Sequence, residues 1–142
     1  MEGLKVCVDS SVVLREILGA PGRIPGWAAW DLAVASELVQ VEAQRTLDRL
    51  RILGELTAEQ VAQCVEDLSL WLSAFEIAPL DRLVLRRAGG PFSTPIGTLD
   101  AIHLATAQIW MERRNQELTF LTHDRQLALA ARSSGVAVQF KP

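Results

Sequence analysis

Four acidic residues are the side chains in this sequence whose types and placement could best support chemistry. Asp9 and Asp124 each follow a short apolar run that predicts a buried strand, and Glu42 and Asp100 lie in segments that predict helices. If the four carboxylates shared one pocket, their mutual repulsion would require a cation. Mg²⁺ and Mn²⁺ prefer oxygen ligands, and such ions catalyse reactions of phosphate esters. The set therefore makes the chain a candidate divalent-metal enzyme that acts on phosphate esters.

The elements that must position these acids alternate along the chain between strands and helices. Apolar runs predict strands at residues 6–8, 32–35, 75–78, 118–122 and 136–140. Helices are predicted at 12–18, 36–53, 57–73, 81–87, 98–114 and 124–132, with one helical turn at 27–30. Such alternation implies right-handed crossovers and a parallel sheet covered by helices on both faces. At this length we expect one domain, residues 1–142.

Local signals mark the starts of three of the predicted helices. Ser36 and Thr98 are expected to cap the helices that follow them. Thr57 and Gln60 have the spacing of a capping box, in which each side chain bonds to the other residue's backbone amide. These signals support the helical assignment of the segments that carry Glu42 and Asp100.

Asp9 and Asp124 are expected to meet, because ligands of a parallel sheet bind beyond the carboxyl ends of strands where the strand order reverses. An aspartate at a strand-to-helix junction can also simply cap the next helix. Ser10 and Ser11 could cap the first helix in place of Asp9. That possibility favours a functional role for Asp9 and leaves capping open for Asp124.

Glu42 and Asp100 also have simpler explanations. Asp100 lies along an apolar stripe of its helix, where a carboxylate needs a partner, but it is also in the first turn, where the helix dipole stabilises acids. Glu42 could form an exposed ion pair with Arg45. Glu37 is a rival for the site, although its first-turn position already accounts for it. Both alternatives stay open from sequence alone.

The bulk composition excludes several classes of protein. The net charge of −3, with 49% apolar and 22% charged residues, gives an ordinary globular chain without a global basic field. No apolar run is long enough to span a bilayer, and the N-terminus lacks a signal-peptide pattern. Cys7 and Cys64 are predicted to be buried free thiols, as in a reduced cytoplasm. No cysteine–histidine cluster has zinc-binding spacing.

Four segments together resemble a PIN-domain ribonuclease, and within that family a VapC-type toxin of a type II toxin–antitoxin system. The matching segments are Val8–Leu14, Ser36–Glu42, Thr98–Ala107 and Phe120–Asp124. Their order, spacing and element types agree with the family over nearly the whole chain. The glycine- and proline-rich stretches at 19–26 and 89–97 are less typical of it.

This resemblance implies a three-layer α/β/α PIN-like fold with a small, mostly parallel central sheet of about five strands. It implies a Mg²⁺- or Mn²⁺-dependent endoribonuclease, a homodimer, and neutralisation by a cognate antitoxin whose tail fills the acidic groove. The family's acidic quartet falls on Asp9, Glu42, Asp100 and Asp124, and its accessory polar positions fall on Ser10 and Thr122. The ion would be held by Asp9, Asp100 and Asp124, and Glu42 would bind a second ion or activate the attacking water.

Two arginines and two histidines lie near the quartet in the sequence. Arg45 and Arg49 follow Glu42 at three and seven residues on the same helix face, so they are candidates for contacts with RNA phosphates. His103 and His123 are interpreted as incidental, and His123 is expected to point away if Asp124 faces the pocket.

Two other classes compete with the nuclease. A catalytically inactive PIN-like domain that binds a protein partner would keep the fold and the acidic charge. An aspartate-based phosphatase would need an acid two residues after its nucleophile, where this chain has Ser11, and a receiver domain would need a lysine placed unlike Lys5 or Lys141. The first rival is distinguished by the absence of metal binding.

Overall fold

The structure is a computed structural model that describes residues 3–20 and 30–142. The strands are β1 (Leu4–Val8), β2 (Trp30–Ser36), β3 (Glu76–Ala78), β4 (Thr119–Thr122) and β5 (Ala137–Phe140). The helices are α1 (Ser10–Ile17), α2 (Leu38–Ile52), α3 (Ala58–Ser73), α4 (Arg82–Ala88), α5 (Thr98–Arg114) and α6 (Arg125–Ser133).

The five strands in the described ranges form one sheet in the order β3-β2-β1-β4-β5, and every neighbouring pair is parallel. This confirms the predicted parallel sheet of about five strands in a three-layer α/β/α fold. The chain adds β2 and β3 on one side of β1 and then returns to add β4 and β5 on the other. The strand order therefore reverses between β1 and β4, and the carboxyl ends of these two strands lie side by side.

Alternating side chains on the central strands fill two separate cores, as a sheet buried on both faces requires. On β1, Val6 and Val8 contribute to one core and Cys7 to the other. Helices α1, α2 and α3 cover the first face with Val13, Val39, Ala43 and Leu68 among others. Helices α5 and α6 cover the second face with residues that include Leu104, Ala107, Leu127 and Ala131. The sheet is thus packed between two helical layers, which fix the position of its carboxyl edge.

One of the predicted helix starts is present, and a second is displaced by one residue. Thr57 Oγ1 accepts a hydrogen bond from the Gln60 amide at 3.1 Å, and Gln60 Oε1 accepts one from the Thr57 amide at 2.9 Å. This is the predicted capping box at the start of α3. At α2, Glu37 is the cap residue and makes no side-chain cap bond, so the predicted cap Ser36 lies one residue too early. The Ser36 hydroxyl still accepts a hydrogen bond from the Leu38 amide at 3.1 Å.

Other local predictions were wrong. Gly97 occupies the cap position of α5 and Thr98 is already helical, so the Thr98 side chain does not cap. Helix α1 begins at Ser10, two residues earlier than predicted. Of the predicted helical turn at 27–30, residues 27–29 lie outside the described part, and Trp30 begins β2 because its backbone pairs with β1 beside Leu4.

The predicted loops and buried thiols agree in part with the structure. The predicted loop at 89–97 does separate α4 from α5, whereas most of the one at 19–26 lies outside the described residues. Cys7 is a buried free thiol whose pKa is raised by burial, and Cys64 is a half-buried free thiol. Among the helices described here, none is long and apolar enough to cross a bilayer.

Candidate active site

Asp9 lies at the carboxyl end of β1 with only 4% of its surface exposed, and both of its carboxylate oxygens are held. Oδ1 accepts hydrogen bonds from the Ser11 hydroxyl at 2.6 Å and from the Val12 amide at 3.4 Å. Oδ2 accepts one from the Thr122 hydroxyl at 2.7 Å. Burial raises the pKa of Asp9, although the hydrogen bonds from Ser11 and Thr122 partly oppose the rise.

The two hydroxyls that bond to Asp9 are themselves fixed by backbone amides that follow β4. The Asp124 amide donates to Thr122 Oγ1 at 2.9 Å, and the His123 amide donates to Ser11 Oγ at 3.1 Å. Since an amide can only donate, each hydroxyl accepts from it and directs its own hydrogen to Asp9. This network joins the ends of β1 and β4 and sets the orientation of the Asp9 carboxylate.

The resemblance to PIN domains implied Ser10 as the accessory hydroxyl, but the α1 hydroxyl that bonds to Asp9 belongs to Ser11. An aspartate side chain ahead of a helix reaches groups two and three residues later, so Ser11 and Val12 are within its range. The same geometry makes Asp9 the cap of α1. The expectation that the serines would relieve Asp9 of capping was therefore wrong. Thr122 does contact Asp9, as its predicted accessory position requires.

Asp124 caps α6 through a hydrogen bond from the Leu127 amide to its Oδ1 at 3.0 Å, and it is exposed. The capping alternative thus holds for both aspartates at the strand ends. Capping engages a single oxygen of Asp124, so the carboxylate keeps coordination capacity on the other one. The cap also fixes the backbone at Asp124, directly after β4, which pairs with β1.

Asp100 lies in the first turn of α5, and the other three acids act on it. Burial is the largest cause that raises the pKa of Asp100 to about 6, followed by the negative charges of Asp124, Asp9 and Glu42, whereas His103 lowers it. Interactions between charges weaken with distance, so Asp124, Asp9 and Glu42 lie near enough to Asp100 to raise its pKa. Asp9 and Asp124 follow the adjacent strands β1 and β4, so this acidic region lies at the carboxyl edge of the sheet.

Glu42 reaches this region from α2, and its partner is a histidine. Its Oε1 is in short contact with Nε2 of His103, a side chain of α5 that is only 2% exposed. The alternative ion pair with Arg45 is not formed, because Arg45 bonds to Asp48 at 3.1 Å.

Glu37, the rival of Glu42, is engaged elsewhere. It accepts a hydrogen bond from the Leu80 amide at 3.1 Å, so its carboxylate ties the start of α2 to the segment after β3. This structural hydrogen bond accounts for the Glu37 carboxylate without a role in the site.

His103 is the site-region residue that the sequence interpretation missed. Burial lowers its pKa, but the hydrogen bond and charge of Glu42 and the charges of Asp9 and Asp100 outweigh burial, so the pKa is raised. A signal existed, because a histidine three residues after Asp100 shares its helix face and interrupts an apolar stripe. His123 instead directs Nδ1 to the Lys141 carbonyl at 2.6 Å, and burial lowers its pKa.

The donor set consists of carboxylate oxygens, the ligands that hard divalent cations prefer. Within residues 3–20 and 30–142, no three carboxylate, histidine or cysteine side chains are already grouped as a set of metal ligands. Mg²⁺ commonly binds through one or two carboxylates and keeps several waters, so it does not need such a closed set. Burial contributes most to the raised pKa of Asp100, and the repulsion from Asp124, Asp9 and Glu42 adds to it; a bound cation would relieve that repulsion. The residues present therefore fit Mg²⁺ or Mn²⁺.

The raised pKa of Asp100 predicts that the metal-free protein becomes less stable as the pH rises. Between the ordinary aspartate pKa and about 6, the folded chain binds more protons at Asp100 than the unfolded chain does. The contribution of Asp100 to the free energy of unfolding then falls across that window. We expect Asp100→Asn to flatten the decline in melting temperature measured with chelator from pH 4 to 7. Identical profiles for the variant and the natural chain would contradict this interpretation.

Solved structures share the fold of this chain. A toxin–antitoxin complex from Klebsiella pneumoniae matches with a TM-score of 0.63 and 18% identity, over 87% of this chain and 91% of that chain. FitAcB from Neisseria gonorrhoeae matches with a TM-score of 0.62 and 21% identity, over 94% and 95%. VapBC2 from Rickettsia felis, bound to a DNA fragment from their promoter, matches with a TM-score of 0.63 and 14% identity, over 96% and 98%.

Comparison with sequence families gives a more specific result than the shared fold. No curated protein sequence matches the chain. The PIN domain family model matches residues 6–133, a range that runs from β1 to α6 and contains all four acids. PIN domains are generally nucleases and generally use divalent metal ions. The chain therefore belongs to the PIN-domain family.

Proposed function

We propose that this chain, as one domain over residues 1–142, is a divalent-metal-dependent endoribonuclease and the VapC-type toxin of a toxin–antitoxin pair that acts in the cytoplasm. The observation that carries the proposal is the electrostatic state of Asp100, whose pKa is raised by burial and by the charges of Asp124, Asp9 and Glu42. Four acids in this relation repel one another and favour a bound cation. Because the chain belongs to a family whose members are generally nucleases, we infer that the cation takes part in catalysis.

In this proposal Asp9, Asp100 and Asp124 hold Mg²⁺ or Mn²⁺. When bound, such an ion supplies Lewis acidity at the scissile phosphate and lowers the pKa of water. Glu42 either holds a second ion or orients the attacking water and accepts its proton. Ser11 and Thr122 keep the Asp9 carboxylate in one orientation, so Asp9 loses little freedom on binding the ion. Water would then attack the phosphorus in line, the P–O bond to the leaving ribose oxygen would break, and that oxygen would take a proton from the surrounding water.

Arg45 and Arg49 are proposed contacts for the phosphates of the RNA. Both are exposed on α2, the helix that carries Glu42. Arg45 bonds to Asp48 at 3.1 Å, so it would exchange this surface ion pair for a phosphate. Exposed ion pairs stabilise proteins little, and this exchange therefore costs little.

An antitoxin and a second copy of the chain are the proposed protein partners. The structures from K. pneumoniae and R. felis are named as a toxin–antitoxin complex and as VapBC2, which supports an antitoxin here. Several apolar side chains are exposed on and just after α2 and on α3, including Val41, Ile52, Leu53 and Leu70. Such surfaces are suited to contact with a protein.

The proposed activity is tested by incubating the purified chain with total RNA in Mg²⁺, in Mn²⁺ and in chelator. We expect internal cleavage with either ion and none with chelator. Cleavage that persists in chelator would contradict the metal dependence, and intact RNA under all three conditions would contradict the nuclease.

The alternative is a catalytically inactive PIN-like domain that binds a protein partner. It is favoured by the lack, in the part of the chain that the structure describes, of three side chains already grouped around a metal position. The alternative predicts that Mn²⁺ leaves the melting temperature unchanged. Stabilisation by Mn²⁺ together with RNA cleavage would exclude it.

A further inference from the structure

The contact between His103 and Glu42 links the two helices that carry acids of the site. His103 follows Asp100 by one turn of α5, and its Nε2 contacts Oε1 of Glu42 on α2. The histidine is 2% exposed and the Glu42 side chain is 18% exposed. The contact is therefore largely shielded from water, where a hydrogen bond to a charged group stabilises more than it does on a surface.

The chemistry of the pair fixes the direction of this hydrogen bond. An ionised carboxylate can only accept, so His103 Nε2 must carry the hydrogen and donate it. The other ring nitrogen, Nδ1, is buried and has no hydrogen-bond partner among the described residues. A neutral ring with its hydrogen on Nε2 leaves no buried N–H group without an acceptor. The donor at Nε2 is present whether the ring is neutral or charged.

Without this bond, Glu42 would not be held toward the other acids. Asp100 and Glu42 are both carboxylates, and the charge of Glu42 contributes to the raised pKa of Asp100, so the two groups repel each other. Repulsion and the rotamer freedom of a long side chain both favour a Glu42 carboxylate turned toward solvent. The nearest arginine of its helix face does not hold it, because Arg45 bonds to Asp48.

We propose that His103 is a positioning residue, whose Nε2–H fixes the Glu42 carboxylate by Oε1 and leaves Oε2 available to a cation or its water. This inference rests on the proposed function, because it gives Glu42 its orientation in that site. His103 itself contacts neither the cation nor the substrate in this account. It acts only through Glu42.

Mn²⁺ affinity, measured by calorimetry on the full chain, tests the proposal without any need for activity. His103→Met removes the donor while keeping a similar apolar volume, and His103→Gln keeps an N–H near the position of Nε2. Groups that orient a metal ligand typically contribute about 10- to 100-fold in affinity, so we expect His103→Met to weaken Mn²⁺ binding by that factor. His103→Gln should recover most of the loss.

A double-mutant cycle distinguishes positioning of Glu42 from a general effect on packing. If His103 acts only through Glu42, His103→Met should cost nothing further in a Glu42→Gln background. Losses that add fully in the double variant would overturn the proposal. So would a folded His103→Met variant whose affinity stays within about threefold of the natural chain, since positioning requires at least about tenfold.

Nitrogen NMR of the histidine rings keeps the proposal testable if His103→Met does not fold. The natural chain should show a hydrogen on Nε2 of His103, and Glu42→Gln should shift that signal. An Nε2 without hydrogen would overturn the proposal. Failure of the proposed function has a different signature, namely a natural chain that binds Mn²⁺ normally with Glu42 held by His103 but cleaves no RNA.

Discussion

Replacing Asp9 by Asn is expected to reduce metal-dependent RNA cleavage by at least about 100-fold, because loss of a ligand's charge should cost more than loss of a group that only orients a ligand. The Asp9 carboxylate is the most constrained of the four, with hydrogen bonds from Ser11, Val12 and Thr122. Asparagine has the same shape and keeps an oxygen that can cap α1. The measurement is the initial rate of RNA cleavage at saturating Mn²⁺.

The same variant should remain folded, which separates catalysis from stability. Burial disfavours the charged form of Asp9, so removing that charge should not lower the melting temperature in chelator. Asp67→Asn makes the same chemical change on α3, where the carboxylate accepts a hydrogen bond from Gln63 at 3.1 Å, and serves as the matched control. Full chelator-sensitive activity in Asp9→Asn would remove Asp9 from the site.

Mn²⁺ is expected to raise the melting temperature of the chain. A ligand that binds only the folded state at 100 times its Kd stabilises that state by about 2.7 kcal/mol, which corresponds to roughly 5 to 10 °C for a chain of this size. The effect should be larger at pH 7 than at pH 5, because Asp100, whose pKa is about 6, must release its proton before it can bind an ion. Thermal melts at several Mn²⁺ concentrations measure it.

Asp100→Asn is the control for this effect, since it removes one charge of the quartet and the group whose titration sets the pH dependence. We expect a smaller stabilisation by Mn²⁺ whose dependence on pH between 5 and 7 is weaker than in the natural chain. A natural chain that melts at the same temperature with Mn²⁺ and with chelator would favour the inactive interaction domain.

Sequence patterns located the parts of the site that depend on strand ends and on local signals. Asp9 and Asp124 could be paired because the carboxyl ends of parallel strands share one edge of a sheet. The capping box of Thr57 and Gln60 was predictable because both bonds connect residues three positions apart. In each case a short segment of sequence contains the whole physical cause.

What the sequence could not supply are contacts between distant segments. The bond between His103 and Glu42 depends on how α5 packs beside α2, and no local pattern encodes that packing. The strand position of Trp30 depends on its pairing with Leu4 across the sheet. The local sequence does not contain that information, so it predicted a helical turn instead. Whether Ser10 or Ser11 bonds to Asp9 depends on where α1 begins. Sequence patterns locate helix boundaries poorly, because cap geometry decides them.

The most direct test of a shared cation site is a crystal of the full chain grown with Mn²⁺ and measured for its anomalous signal. A shared cation site predicts a Mn²⁺ peak beyond the carboxyl ends of β1 and β4, within ligand distance of Asp9 and Asp100. Well-ordered side chains of Asp9, Glu42, Asp100 and Asp124 with no Mn²⁺ among them would contradict it.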